Sequence, residues 1–208
     1  MKKSIRRRVG RSYRGASLAE RREARRAQLV RAGIDTFGAR GFHAVTVREV
    51  CAAAGLTERY FYESFADRAQ LFSAAYEQLH ADLQQRLGAA FAAGGRDLAR
   101  AARSGLHAYF EHIRRDPRGA RIMLIEVFGV SADMDRLSRQ TAMDFTVMTE
   151  RMLAPRLRGK GLDPGLLATA LVGGVIFSAM RWVLSGYAQP LDAVVDSVSA
   201  VFAAVLQG

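Results

Sequence analysis

The sequence contains little cysteine and little proline, and each shortage excludes a class of structure. Cys51 is the only cysteine among 208 residues, so the chain has no intramolecular disulfide and no zinc site of the usual cysteine kind. The four prolines, at positions 117, 155, 164 and 190, each suit a helix end. The alternation of apolar and polar residues that marks a half-buried strand is scarce. The sequence therefore predicts an all-α protein of about nine helices.

Catalytic and cofactor motifs are also lacking. The sequence has no glycine-rich phosphate loop, no His-Glu-x-x-His and no Gly-x-Ser-x-Gly. The four histidines are scattered, and His107 and His112 are too far apart in sequence to share a helical face as a metal pair. We therefore expect neither an enzyme nor a bound cofactor or metal ion.

Acidic residues are nearly absent from the first 26 positions. This stretch holds eleven of the 31 Lys and Arg but only two of the 20 Asp and Glu, and so carries +9 of the total formal charge of +11. Such a segment favours a polyanionic partner, either a nucleic-acid backbone or an anionic membrane surface. We interpret residues 1–17 as a flexible basic leader that follows DNA phosphates or simply aids solubility. A transit peptide is a weaker alternative, and bulky apolar residues are too few for a membrane anchor.

One long apolar run, Leu166–Leu184, approaches the length of a membrane span. Thr169, Ser178 and Arg181 interrupt it, together with a pair of glycines. We interpret it as a buried helix of a soluble protein with no membrane partner. The single cysteine is consistent with the reducing cytoplasm as the location.

Helical periodicity and capping residues divide the chain into two helical regions after the leader. We expect a first domain over residues 18–66 and a second over residues 67–208. The predicted helices run over about Leu18–Arg40, Thr46–Ala54, Thr57–Ser64, Asp67–Ala90, Asp97–Arg115, Arg118–Val127, Ala132–Leu157, Pro164–Ser185 and Leu191–Leu206.

The first domain carries the signals of a tight turn between two short helices. Thr46 and Glu49 have the spacing of a capping box, Gly55 ends that helix, and Thr57 suits the N-cap of the next. Two short helices joined by a glycine turn and preceded by a third helix form a helix-turn-helix candidate. In that motif the second short helix enters the major groove of DNA.

The same stretch resembles the DNA-binding domain of the TetR family of bacterial transcriptional regulators. The resemblance covers about 50 residues, from Leu29 to Leu79. It rests on an aromatic residue after Gly41, the helix-opening Thr46, and the segments AAGLT at residues 53–57 and YFYESFADRAQLF at residues 60–72. The family often has His where this chain has Ser64, and Lys where it has Arg68.

The resemblance implies which side chains meet DNA. Glu58, Arg59 and Tyr60 match the exposed face of the recognition helix, and Glu58 either accepts a hydrogen bond from a cytosine amine or pairs with a nearby Arg. Phe61 and Phe65 are expected in the core, and so is Cys51 as a small apolar residue. The full predicted DNA-binding set is Thr46, Arg48, Thr57, Glu58, Arg59, Tyr60, Tyr62, Ser64 and Arg68.

For the second domain the resemblance implies a homodimer and a small effector. Small residues spaced by four on one helix and an apolar face on the last helix suit a four-helix dimer interface, although either face can pack within one subunit. The predicted interface residues are Ala170, Gly174, Ser178, Val194, Val198, Val201, Phe202 and Val205. Met and aromatic side chains suit an adaptable apolar pocket, or else simply the core. The predicted pocket residues are Tyr109, Phe110, Met123, Phe128, Phe145, Met148, Met152, Phe177 and Met180.

The expected function is that of a ligand-responsive repressor. A homodimer would bind a palindromic double-stranded operator, and a small apolar effector would shift the fourth helix and weaken DNA binding. An architectural DNA-binding protein that responds to no ligand is the alternative.

Overall fold

The structure, a computed structural model, describes residues 17–95 and 97–207, and within these ranges it is helical without strands. The basic leader therefore lies almost entirely outside the described residues. The described residues form nine α-helices in succession: α1 Leu18–Arg40, α2 Val47–Ala54, α3 Glu58–Tyr62, α4 Arg68–Gly94, α5 Leu98–Arg115, α6 Pro117–Arg121, α7 Ala132–Leu157, α8 Pro164–Leu184 and α9 Leu191–Gln207. A short π-helix, Ile122–Glu126, continues α6. The all-α prediction is confirmed, and the predicted helix bounds agree to within a few residues.

The N-terminal helices pack around a small aromatic core. Ser17 and Glu20 form a capping box that starts α1, and Gly41 ends it with a positive φ of 86°. Phe37 of α1, Phe42 of the following loop and Phe72 of α4 contact one another, with ring centroids 5.4 to 5.6 Å apart. The first turns of α4 therefore belong to the packing that holds the three helices α1, α2 and α3 in place.

The remaining helices form a bundle in which α4 packs on α5, α5 on α9, and α7 on α8. Trp182 of α8 is 2 % exposed and holds the turn between α8 and α9 through an Nε1 hydrogen bond to the Gln189 carbonyl oxygen at 2.9 Å. Tyr187 in that turn has a φ of 60°, which is uncommon for an aromatic residue. Its hydroxyl donates to the carbonyl oxygen of Ile113 at 3.2 Å, which fastens the turn to α5.

Helix α8 is not the buried core helix that its composition predicted. It is long and apolar enough to cross a membrane, but only 22 % of its most apolar window is buried inside the subunit. Leu166, Phe177 and Leu184 are each about 70 % exposed. The sequence prediction was wrong because apolar composition marks a helix as needing cover without telling whether its own chain supplies that cover.

Helices α1 and α6 touch with almost no space between their backbones. A Cβ atom at Gly38 would lie 2.6 Å from both Cβ and the carbonyl oxygen of Arg118. The Arg118 guanidinium also pairs with the Asp35 carboxylate at 2.6 Å. This contact joins the N-terminal helices directly to the bundle.

We expect Gly38→Ala to destabilise the protein, because the added methyl group overlaps the backbone of α6. Overpacking of this kind costs about 1–3 kcal/mol, against a gain in helix propensity of about 1 kcal/mol, so the net loss of stability is up to about 2 kcal/mol. Gly88→Ala is the matched control, since a Cβ there meets nothing within 4 Å and the same propensity gain is unopposed. Urea unfolding followed by circular dichroism measures both changes. Equal stability of the two variants would contradict the close α1–α6 contact.

Candidate functional site

The turn between α2 and α3 has the geometry of a helix-turn-helix. The Thr46 hydroxyl accepts from the Glu49 amide, and the Glu49 carboxylate accepts from the Thr46 amide, so the predicted capping box is present. The hydrogen bond from the Thr46 amide, followed by those from Arg40 and from the Thr46 hydroxyl, lowers the pKa of Glu49 to about 2. Gly55 adopts the left-handed conformation that turns the chain from α2 to α3. Thr57 makes no side-chain capping hydrogen bond, contrary to the prediction.

The exposed side chains of α2 and α3 form a polar surface around this turn. Arg48 and Arg59 have side chains that are 89 % and 85 % exposed. Arg48 lies 4.0 Å from the Glu58 carboxylate, and Tyr62 is 58 % exposed. Beneath this surface Phe61 and Phe65 are buried, as predicted. The predicted residues Thr46, Arg48, Thr57, Glu58, Arg59 and Tyr62 are all exposed in this region.

Three other predicted positions are less open. Tyr60 is half-buried because the Arg25 guanidinium of α1 lies over its ring, 4.4 Å from the centroid. Ser64 is half-buried at the C-terminal end of α3. Arg68 is turned inward: its guanidinium donates to the carbonyl oxygens of Phe42 and Val45 and lies over the Phe42 ring. Arg68 therefore ties α4 to the loop before α2, and its position does not support the predicted DNA contact.

A cavity of about 730 Å³ lies inside the helical bundle. Its wall is mostly apolar and comes from α4, α5, the π-helix with the turn after it, α7, α8 and Phe202 of α9. The predicted pocket residues that line it are Tyr109, Met123, Phe128, Phe145, Met148 and Met152.

The other three predicted pocket residues lie elsewhere. Phe110 is fully buried and packs edge-on against Trp182, so it is a core residue. Phe177 is 70 % exposed on the outer side of α8, and Met180 does not line the cavity. Helical periodicity identified these residues as apolar but does not distinguish a cavity wall from the core or from an outer face.

Sequence reasoning missed the contribution of α4, which brings polar groups to the cavity wall. The Tyr76 ring packs at a tilt against the His80 ring, with centroids 4.2 Å apart. Burial, with a smaller contribution from neighbouring His112, lowers the pKa of His80 to about 4, and burial raises the pKa of Tyr76 to about 12. Neither ring nitrogen of His80 has a hydrogen-bond partner among the described residues. The spacing of Tyr76, His80, Leu83 and Leu87 along one face was the available signal.

Glu126 connects the cavity wall to the helix-turn-helix. Its carboxylate accepts from the Phe42 amide at 2.9 Å and from Arg121 Nε at 2.8 Å. Arg121 also donates to the Ala39 carbonyl oxygen at 3.3 Å. Met123 and Leu124 before Glu126 line the cavity, so one short segment touches both the cavity and the end of α1. Among the described residues no cluster of three or more His, Cys, Asp or Glu is placed to hold a metal ion.

The predicted interface residues divide between the outer surface and the interior. Ala170, Gly174 and Val201 are exposed, and Ser178, Val194, Val198 and Val205 are half-buried. Phe202 is only 8 % exposed and lines the cavity, so the prediction for it is corrected: it faces its own subunit.

Comparisons with known proteins agree with this architecture. Residues 29–75 match the family model described as bacterial regulatory proteins, tetR family. The chain is 24 % identical over 174 residues to the HTH-type transcriptional activator FasR of Mycolicibacterium smegmatis, covering 82 % of this chain and 77 % of FasR. It also resembles two solved structures in fold. One is the fatty acid degradation regulator FadR of Bacillus halodurans, with TM-score 0.74, 15 % identity, and coverage of 88 % of this chain and 98 % of that one. The other is FadR of Bacillus subtilis in complex with stearoyl-CoA, with TM-score 0.73, 15 % identity, and coverage of 84 % and 96 %.

The buried His80 predicts a pH-dependent stability. Its pKa in the folded protein lies below the ordinary value of 6.5, so the unfolded chain binds a proton that the folded protein does not. Stability is therefore lost as the pH falls from about 6.5 to 4, by about 3 kcal/mol. Urea unfolding at several pH values should show that His80→Gln removes this part of the loss, whereas His43→Gln, at an exposed position, keeps it. Identical pH profiles for wild type and His80→Gln would contradict the burial of a neutral imidazole.

Proposed function

We propose that this chain is a cytoplasmic, ligand-responsive repressor of the TetR type that binds DNA as a homodimer, since residues 29–75 match the model of bacterial regulatory proteins, tetR family. Residues 18–66 form the DNA-binding domain, and residues 67–208 bind the effector and the second subunit. The observation that carries the proposal is the pairing of two features in one chain: an exposed arginine-bearing helix-turn-helix and a large apolar cavity, joined by Glu126.

The DNA side of the proposal rests on how α3 is presented. Phe61 anchors the helix to the core, while Arg59 on the opposite side is 85 % exposed. Arg48 of α2 and Tyr62 of α3 are exposed beside it, so the surface offers groups for base edges as well as for phosphates. In a dimer the two α3 helices would enter successive major grooves of a palindromic operator, ~34 Å apart.

The effector side rests on the size and chemistry of the cavity. A volume of about 730 Å³ lies within the range of small-molecule sites, about 300–1,000 Å³. The wall is mainly Leu, Met, Val and aromatic side chains, which favours an apolar ligand. One structural neighbour binds stearoyl-CoA and another is named for fatty acid degradation, so an acyl compound is the ligand class to test first. An architectural DNA-binding protein would have no use for such a cavity.

The homodimer rests on the outer face of α8. Leu166, Phe177 and Leu184 expose an amount of apolar surface that is costly in water, and Ala170 and Gly174 on the same helix allow close helix approach. Val201 of α9, 56 % exposed, adds to this face. A second copy of the chain would cover it through the four-helix arrangement that small and apolar residues favour.

The coupling between ligand and DNA runs through α4 and Glu126. Helix α4 supplies both cavity wall and part of the aromatic core under the helix-turn-helix, so a ligand that displaces α4 also displaces the DNA reader. A ligand that binds more tightly to an arrangement of helices that does not fit DNA lowers the affinity for DNA. DNA lowers the affinity for the ligand by the same factor. Under this scheme the protein represses transcription while it is bound to DNA, and the ligand relieves the repression. FasR is named an activator, and in vitro transcription from the bound promoter distinguishes the two signs of regulation.

The DNA-binding proposal is tested by selecting bound sequences from a random DNA library, followed by fluorescence anisotropy on the selected site and a scrambled site. Arg59→Ala should lose sequence preference worth ~1–3 kcal/mol, because a good base contact contributes that much. Arg158→Ala removes the same charge from an exposed turn in the second domain and should bind as wild type does. Wild type that selects no sequence refutes a sequence-specific regulator.

Release of the selected DNA by palmitoyl-CoA would support the effector class, and no release by acyl compounds would contradict it.

The dimer is tested with Phe177→Glu, which places a charge in the proposed interface. Wild type should have twice the 22.8 kDa mass of the chain by light scattering after gel filtration, and Phe177→Glu should run at 22.8 kDa. Met143→Glu is the control, because Met143 is 62 % exposed but lies on α7. Wild type at the mass of one chain, or a dimeric Phe177→Glu, would contradict the proposed interface.

A further inference from the structure

Glu63, the residue at the C-terminal end of α3, lies among three arginines. Its carboxylate is 3.4 Å from Nε of Arg59 on α3 and 3.5 Å from Nη2 of Arg25 on α1. Its backbone carbonyl oxygen accepts from Nη2 of Arg22 at 2.5 Å. The predicted DNA-binding set did not include Glu63, because an acidic residue in a DNA-facing region carries no obvious role in sequence.

The contact between Glu63 and Arg59 uses a particular edge of the guanidinium. Glu63 is closest to Nε, and the two Nη groups, which carry four of the five N–H donors, lie further along the side chain. Guanine offers two acceptors, O6 and N7, side by side in the major groove, and a guanidinium binds both at once. A carboxylate at Nε therefore orients the arginine while leaving donors for a guanine.

Arg25 fixes the other side of this arrangement. Its guanidinium lies over the Tyr60 ring at 4.4 Å while it contacts Glu63, so α1 holds the carboxylate in place. Arg26 lies over the Phe65 ring at 5.2 Å, which fastens α1 to the segment between α3 and α4. By contrast, Nε of Arg48 lies 4.0 Å from the Glu58 carboxylate, and the Arg48 side chain is 89 % exposed. The direction of the Arg48 side chain is therefore less restrained than that of Arg59.

We propose that Glu63 is a positioning residue that orients Arg59 to read a guanine in each operator half-site and limits contact of Arg25 and Arg59 with phosphates. The inference rests on the proposed DNA reading by α3. The negative charge of the Glu63 carboxylate offsets the attraction of both arginines for phosphates, so the affinity for non-specific DNA is reduced. Arg59 keeps its contact with Glu63 when it binds guanine end-on, so binding of the specific site is not reduced in the same way.

The test compares Glu63→Gln with wild type on the selected operator, on operators with the guanine of each half-site replaced, and on scrambled DNA. Glu63→Gln should lose about fivefold or more of the discrimination for guanine at one position per half-site. It should also bind scrambled DNA more tightly, and its salt dependence should steepen by about 0.9 in slope for each additional phosphate that the arginines neutralise. Damage to the fold weakens binding to all DNA, so tighter non-specific binding separates a positioning role from a structural one.

Two further variants complete the experiment. In an Arg59→Ala background, Glu63→Gln should leave guanine discrimination unchanged, since the two residues act through one contact. Glu77→Gln, at an exposed position on α4, removes the same charge and should behave as wild type. The inference would be overturned if Glu63→Gln kept the wild-type guanine discrimination and salt slope, or if it bound every DNA more weakly by the same factor. The proposed function would still stand in that case, provided that the wild type selects an operator. Failure of wild type to select any sequence would overturn both the inference and the proposed function.

Discussion

The hydrogen bond from the Phe42 amide to Glu126 determines how the two halves of the molecule are related. Phe42 follows the end of α1, and Glu126 ends the π-helix beside the cavity. The residue before Phe42, Gly41, has a φ of 86°, and a Cβ atom there would lie 2.9 Å from the Glu126 carboxylate. Arg121 balances the charge of that carboxylate and also reaches the last turn of α1. The cavity wall and the DNA-binding helices are therefore joined by polar groups that water would otherwise satisfy on each side separately.

This contact explains why the π-helix matters for the fold. Ile122, Met123 and Leu124 are buried and follow α6 without a break, so the segment has little freedom to move alone. The close approach of Gly38 to Arg118 lies at the start of the same segment. Steric contact at α6 and hydrogen bonding at Glu126 thus fix two points of one rigid connection. In the proposed regulator, this connection would carry a displacement at the cavity to α1, because packed helices shift as units.

Local sequence signals predicted the helices and the helix-turn-helix well. Capping residues such as Ser131 and Asp163 act on the backbone within three residues, so their effect is readable from the sequence. The functional placement of single side chains was less predictable. Arg68 resembles a phosphate-binding residue in sequence, but two carbonyl oxygens from the loop before α2 draw it inward. Glu126 lies 84 positions from Phe42, and no local pattern announces a partner so distant. The same limit applies to Phe177 and Phe202, whose directions depend on which helices pack beside α8 and α9.

Val201 and Phe202 are neighbours on α9 that face opposite surroundings. Val201 is 56 % exposed on the outer face, whereas Phe202 is 8 % exposed and forms part of the cavity wall. A single helix therefore separates the proposed ligand cavity from the proposed dimer surface. Substitutions that reshape the cavity from α9 are constrained by the partner surface on the other side of the helix. Those on α7, whose Met143 and Val147 face solvent, carry no such constraint. Ligand specificity in this scaffold is thus freer to diverge through α7 than through α9.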